Sequence, residues 1–296
     1  MSHSSIIPAK LLLFGEHSVL QHSKALAVPY PRLSGQWRQS TKAQEPSPLL
    51  PWVDYLRSSS ERASLLNLDA FSNDLEEGWY FASTIPIGYG LGSSGALTAA
   101  VWAKYAKEEI AEWSELQQQL GWMESFFHGA SSGTDPLICY LQKPVVLSKA
   151  AGVQETTLPS FSSTGKYELF LLDTQIPRST GPLVEGFLAN CQKESYLQQI
   201  LEDYNPVSDQ LIQDYLQNDP VSLFQGFRTL SALQWDLFQA MIPETLRAIW
   251  QEGLADGQFY LKLCGAGGGG FLLGMRPVES DMGGLQAWDI HSYHRL

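Results

Sequence analysis

Cationic side chains are scarce in this chain: 19 Lys and Arg stand against 31 Asp and Glu, a net charge of -12. A nucleic-acid partner needs a basic face, so this balance argues against one. Cysteine is scarcer still. Cys139, Cys191 and Cys264 are odd in number and widely spaced, and no pair has metal-ligand spacing. They read as reduced thiols packed as small apolar groups, which suits the cytoplasm. No apolar run approaches the roughly 18 residues a membrane helix needs, so no membrane partner is expected. Residues 1–7 lack the basic and apolar regions of a secretory signal. Low-complexity tracts are missing. So is a glycine loop ending in Gly-Lys-Ser/Thr, which excludes a P-loop. What remains is 296 residues, 44% hydrophobic, enough for one large domain or two modest ones. We place two domains, at 1–160 and 161–296.

Glycine, by contrast, is concentrated. Pro86-Ile87-Gly88-Tyr89-Gly90-Leu91-Gly92-Ser93-Ser94-Gly95-Ala96 follows a β-like run, Trp79 to Ile85, and leads into a small-residue apolar segment that reads as a buried helix. Glycines permit positive φ and close approach of a ligand to the main chain. The first turn of a helix offers N–H groups without internal partners and the positive end of its dipole. A glycine-rich strand-to-helix turn is therefore a phosphate cradle. Ser93 and Ser94 add hydroxyls suited to phosphate oxygens or magnesium.

Upstream, Lys10 to Phe14 reads as a buried strand ended by Gly15-Glu16-His17. Lys10 at its mouth is either an edge lysine reaching solvent or one aimed at phosphate or a reacting hydroxyl. Residues 42–51 read as a loop, and Trp52 to Asn67 as a helix. Such a loop near a site can serve as a lid. Ser114 to His128 reads as an amphipathic helix, with a capping box at Ser114 and Gln117 and a stop at Gly129. Glu124 lies beside its apolar stripe, either a boundary residue or a ligand. Residues 128–136 read as a polar turn in which Asp135 precedes Pro136.

In the C-terminal half, Tyr167 to Asp173 is a strand and 176–181 a loop. Helices are expected over Pro182 to Leu201, Pro206 to Gln217, Pro220 to Met241 and Pro243 to Leu254, with Asp219 capping the third. Strands are expected over Phe259 to Leu263, Phe271 to Leu273 and Trp288 to His291. Gly265 to Gly270 separates the first two of these. So many glycines imply close approach to a ligand or to the first glycine turn.

Three separated stretches share one resemblance. Pro8 to Val19, Pro86 to Ala96 and Lys262 to Gly270 resemble the three motifs of the GHMP small-molecule kinases, in order and across nearly the whole chain. Gly15-Glu16-His17-Ser18-Val19, His128 to Asp135 and Asp173 to Thr180 are most similar to the mevalonate kinase branch. The resemblance implies an α+β fold: an N-terminal domain like the second domain of ribosomal protein S5, and a ferredoxin-like C-terminal domain. It implies ATP and Mg2+ as cofactors and a small alcohol, most similar to mevalonate, as acceptor. Asp135 would be the general base, and Lys10 would activate the hydroxyl and steady the transferring phosphoryl. Ser94 and Glu124 would hold magnesium. Gly88, Gly90, Leu91, Gly92, Ser93, Ser94, Gly95 and Ala96 would cradle the nucleotide. Glu16, His17, Thr180 and Gly267 would face the acceptor. These residue types suit phosphoryl transfer, which is mostly positioning and charge stabilisation.

Other readings compete. Phosphomevalonate, homoserine or a sugar are alternative acceptors, and a diphosphomevalonate decarboxylase is disfavoured by Glu16-His17. Gly90 to Gly95 formally fits a dinucleotide-binding GxGxxG, yet it lies far from the N-terminus and no acidic residue follows about 20 residues on. A non-catalytic nucleotide-binding sensor would not need Lys10, Glu124 and Asp135 together. Whether two copies pair as a homodimer is left open.

Overall fold

The computed structural model describes residues 6–40, 47–160, 164–178 and 180–295. Residues 41–46, inside the expected loop at 42–51, lie outside them. The chain forms two compact units. One comprises Met1–Leu11, Val28–Pro86 and Leu91–Lys143; the other comprises Leu12–Ala27, Ile87–Gly90 and Pro144–Leu296.

In the first unit, strand β1 (Ile6–Phe14) is buried almost throughout, and residues up to Leu11 belong here. Strand β2 (Lys24–Gln39) pairs antiparallel with β3 (Trp79–Ser83), from Gly35 opposite Ser83 to Gln39 opposite Trp79. The helix expected over 52–67 is broken into α1 (Leu50–Arg57) and α2 (Ser60–Ala63). Three successive serines interrupt it. Ser58 turns its hydroxyl back to the Tyr55 carbonyl, a local bond that competes with helix continuation. Helix α3 (Leu68–Glu76), which sequence reasoning left unassigned, is capped by the Asn67 side chain.

Helix α4 (Ser93–Tyr105) starts at Gly92 in the left-handed conformation. Its Ala96, Ala99, Ala100 and Val101 are all buried, as the small-residue run implies. Helix α5 (Trp113–His128) buries Leu116, Leu120 and Met123 and ends at Gly129 with positive φ. Its expected capping box is not made. Glu112 stands at the N-cap, and Gln117 instead donates to the Ser132 carbonyl and to Thr134 Oγ1. The apolar run after Asp135 belongs to a helix, α6 (Thr134–Leu141), whose first turn contains Asp135.

In the second unit, residues 24–27 of β2 pair with β4 (Val145–Ser148), and β4 pairs with β5 (Gly152–Glu155). With four residues in each strand, this hairpin is too short to register as strands in the sequence. Strand β6 (Tyr167–Asp173) is buried from Glu168 to Leu172. The helix expected over 182–201 divides at Cys191 into α7 (Thr180–Asn190) and α8 (Glu194–Gln199), followed by a π-helical turn at Ile200–Tyr204. Helices α9 (Asn205–Leu216) and α10 (Pro220–Leu237) follow, the latter capped by Asp219 through the Ser222 amide. A 3-10 turn then precedes α11 (Arg247–Asp256). Strands β7 (Tyr260–Leu263), β8 (Phe271–Pro277) and β9 (Asp289–Arg295) complete an antiparallel sheet in the order β7-β8-β6-β9. Helix α10 packs on β7, and Trp250 of α11 donates its indole N–H to the Ser231 carbonyl. Mixed helix and antiparallel sheet in two units is the α+β class that the sequence implies.

Candidate active site

Lys10 is drawn to the glycine turn by its own backbone: its N–H donates to the Leu91 carbonyl at 3.0 Å. Its side chain is almost buried, and Nζ lies 2.8 Å from Asp135 Oδ1. Lys10 therefore does not reach out to solvent. Small residues make the approach of Asp135 possible. A Cβ on Gly95 would lie 2.9 Å from the Asp135 carbonyl carbon, closer than real Cβ contacts allow. A Cβ on Gly121 would sit 3.0 Å from the Ser131 carbonyl oxygen and from the Gly133 nitrogen. Gly133, with φ of 71°, closes the turn into α6 so tightly that a Cβ would lie 2.0 Å from the Gln117 carbonyl oxygen. Glycines on three elements thus set Asp135 beside Lys10 and against the start of α4.

In the first turn of α4, Ser94 Oγ donates to Glu124 Oε1 at 2.8 Å and lies 2.9 Å from His128 Nε2. Ser131 Oγ donates to the other Glu124 oxygen, and the Gly133 amide donates to Ser131 Oγ at 3.0 Å. Glu124 is 4% exposed, so its carboxylate is not the water-facing boundary group that its helix position permits. Burial and the nearby Asp135 charge push its pKa up, against the two serine hydrogen bonds and His128. A hydroxyl and an under-compensated buried carboxylate are hard oxygen donors, the set that Mg2+ takes. The residues therefore fit the metal that the sequence implies.

Of the residues expected to cradle a nucleotide, Ser93 and Ser94 are half-buried in the first turn of α4, while Leu91, Gly92, Gly95 and Ala96 are buried. A Cβ on Gly92 would meet Lys10 Cγ at 3.1 Å.

Gly88 and Gly90 belong to the second unit, where they meet Arg178. The Arg178 amide donates to the Gly88 carbonyl at 2.8 Å, and a Cβ on Gly90 would fall 1.6 Å from Arg178 Nη2. Arg178 Nη1 donates to the carbonyls of Cys264, Gly267 and Gly269 at 3.0, 3.1 and 3.3 Å. A Cβ on Gly270 would lie 2.5 Å from the Tyr89 carbonyl oxygen. The second glycine run is thus packed against the tip of the first, one of the two reasons its composition suggests. Arg178 is the pin between them, and sequence reasoning did not single it out. Its signal was a lone arginine in a Pro-flanked loop of an acidic chain.

Glu16 is 1% exposed and bonded to Lys262, whose Nζ also donates to the Leu13 and Leu263 carbonyls at 2.8 and 2.6 Å. Burial raises the Glu16 pKa although Lys262 opposes it. His17 is buried against Phe187 and Phe238, with Nε2 3.2 Å from the Ala266 carbonyl oxygen. Burial drives its pKa down to about 4, so the ring is neutral and Nε2 carries the proton that Ala266 accepts. Gly267 is buried and held through its carbonyl by Arg178. Thr180 opens α7, and its side chain lies outside the described residues. Sequence reasoning missed His128 and Ser131 beside Glu124 in the first unit and, in the second, Lys262 beside Glu16 along with Arg178. A lysine inside an apolar strand, and a His one turn after Glu124, were the available signals.

Comparison with known proteins bears on the fold. Residues 62–143 match the family described as GHMP kinases N terminal domain. No curated protein sequence matches the chain significantly. Among solved structures, L. major mevalonate kinase in complex with R-mevalonate is similar at 19% identity and a TM-score of 0.64, covering 99% of this chain and 97% of that one. Methanococcus jannaschii mevalonate kinase is 20% identical, with a TM-score of 0.64 over 100% of this chain and 99% of its own. Streptococcus pneumoniae phosphomevalonate kinase in complex with phosphomevalonate and AMPPNP is 15% identical, with a TM-score of 0.67 over 97% and 99%. The chain therefore has the GHMP kinase fold of these structures, and its residues 62–143 are similar to a GHMP kinases N terminal domain.

Proposed function

We propose that this protein is an ATP-dependent small-molecule kinase that phosphorylates mevalonate to 5-phosphomevalonate, an isoprenoid precursor, in the cytoplasm. The observation that carries the reading is the Lys10–Asp135 pair at 2.8 Å beside the glycine turn that opens α4. Asp135 accepts the acceptor's hydroxyl proton as general base. Lys10 keeps Asp135 in place and sets positive charge where negative charge develops on the reacting oxygens. Ser93 and the amides of the first α4 turn hold phosphate oxygens, with the helix dipole in their favour. Ser94 and Glu124 would hold Mg2+, which when bound neutralises phosphate charge. On the acceptor side we assign His17, Gly267, Thr180 and Glu16. Glu16 serves by fixing its loop through Lys262, since both of its oxygens are buried.

Mevalonate is favoured over other alcohols by the Gly-Glu-His-Ser-Val stretch at 15–19 and by the mevalonate kinases among the similar structures. An ADP-release assay with mevalonate, phosphomevalonate, homoserine and galactose tests the choice. Mevalonate should be turned over with the highest kcat/KM. Turnover of another alcohol with none of mevalonate removes the acceptor assignment, and no turnover of any of them with ATP retained in binding points to a sensor.

A further inference from the structure

A serine hydroxyl has one proton and two lone pairs, and Ser94 faces two neighbours at hydrogen-bond distance. Those neighbours are Glu124 Oε1 at 2.8 Å and His128 Nε2 at 2.9 Å. With no cation present, Ser94 gives its proton to the carboxylate and accepts Nε2–H from His128. A cation held by Ser94 and Glu124 changes that count. Ser94 Oγ and the Glu124 oxygen would each offer a lone pair to the cation, so that oxygen would no longer take the hydroxyl proton. The hydroxyl proton needs another acceptor, and coordination makes that proton a stronger donor.

We infer that His128 is this acceptor: a positioning residue that orients the Ser94 hydroxyl in the cation-loaded protein. The inference rests on the assignment of the cation to Ser94 and Glu124. The proton count balances within the ring. Nε2 gives up its hydrogen while Nδ1 gains one, and the exposed imidazole makes that exchange through solvent with no change in charge. Glu124 and His128 are spaced four residues apart on α5, so one helix face carries both the carboxylate and the acceptor. Ser131 meanwhile holds the second Glu124 oxygen, so the carboxylate is not free to rotate and replace His128 as partner.

The test is a Mn2+ titration of the full protein with a non-hydrolysable ATP analogue, free Mn2+ being read by electron paramagnetic resonance. Loss of an outer partner of a metal ligand costs about tenfold or more in affinity, so His128→Ala should raise the Mn2+ Kd by about tenfold, and His128→Gln, whose amide oxygen accepts, should recover most of it. On a Ser94→Ala background, His128→Ala should add nothing, because the hydroxyl it serves is gone. Circular dichroism confirms that each variant is folded. An unchanged Kd in His128→Ala, an equal loss in His128→Gln, or a full loss on the Ser94→Ala background overturns the role of His128. Unaltered Mn2+ binding in Glu124→Gln and Ser94→Ala overturns instead the cation assignment beneath it, and the inference with it.

Discussion

Lys262→Met removes the cation paired with a carboxylate that water does not reach. Both side chains of the Lys262–Glu16 pair are 0% exposed. Lys262 Nζ also serves the Leu13 and Leu263 carbonyls, so one deletion strands two backbone acceptors along with Glu16. Glu16 has a second oxygen, Oε2, with no hydrogen-bond partner, and burial already raises its pKa. Breaking a buried pair from one side costs roughly 3–5 kcal/mol, because the remaining charge is uncompensated. We expect Lys262→Met to lose stability in that range, measured by urea unfolding at pH 7. Methionine keeps most of the apolar stem volume, so packing loss contributes little. Glu16→Gln in the same background removes the stranded charge. It should restore part of the loss, with a coupling of about 2 kcal/mol in the double-mutant cycle. A single variant within about 1 kcal/mol of the wild type, or two effects that simply add, would refute the view that this pair is a closed charge unit.

Asp135→Asn should lower kcat by about 10²- to 10⁴-fold while ATP binding, followed by fluorescence of a labelled nucleotide, stays within a few-fold. His17 supplies a pH test. Its folded pKa of about 4 lies below its unfolded value of 6.5, so its contribution is complete above pH 6.5 and falls as pH drops toward 4. That shift is worth about 3 kcal/mol at pH 4, and His17→Gln should flatten this part of the stability–pH curve in urea titrations. Gly15→Ala should destabilise by more than about 1 kcal/mol, since φ is 99° and the new Cβ would meet the Ala25 Cα at 2.4 Å. Gly186→Ala, with open space around it inside α7, should instead raise stability by up to about 1 kcal/mol, and thermal unfolding separates the two signs.

The fold was legible wherever local chemistry and burial agreed. Asp219-Pro220 announces α10 because a capping carboxylate and a proline at the first position have one common use. Tyr167 to Asp173 reads as a strand because a continuous apolar run of that length suits a sheet covered on its inner positions. Where tertiary contacts decide, the sequence is silent. The Ser114–Gln117 spacing satisfies a capping box, yet the Gln117 amide goes to the turn at 132–134, which has carbonyl and hydroxyl acceptors that no local pattern reveals. The short hairpin of β4 and β5 owes its existence to pairing with β2, more than a hundred residues upstream.

The site divides along the same line. The roles proposed for Lys10 and Asp135, a phosphate-facing lysine and a general base, rest on the chemistry of their own side chains, so both could be named from motif residues alone. Arg178 and Lys262 act on main-chain carbonyls, and carbonyls have no residue identity to read. The five glycines and one alanine at 265–270 show why this matters. Gly265 and Gly90 leave room for the Arg178 guanidinium, Gly267 makes way for Met241, and Gly269 for the Ile176 carbonyl. Each glycine therefore answers to a different neighbour. The composition implies only that something comes close; the three-dimensional arrangement identifies the visitor as the protein's own arginine and backbone. Arg178, with the Cys264, Gly267 and Gly269 carbonyls on its Nη1, holds that backbone in place through the protein's own contacts.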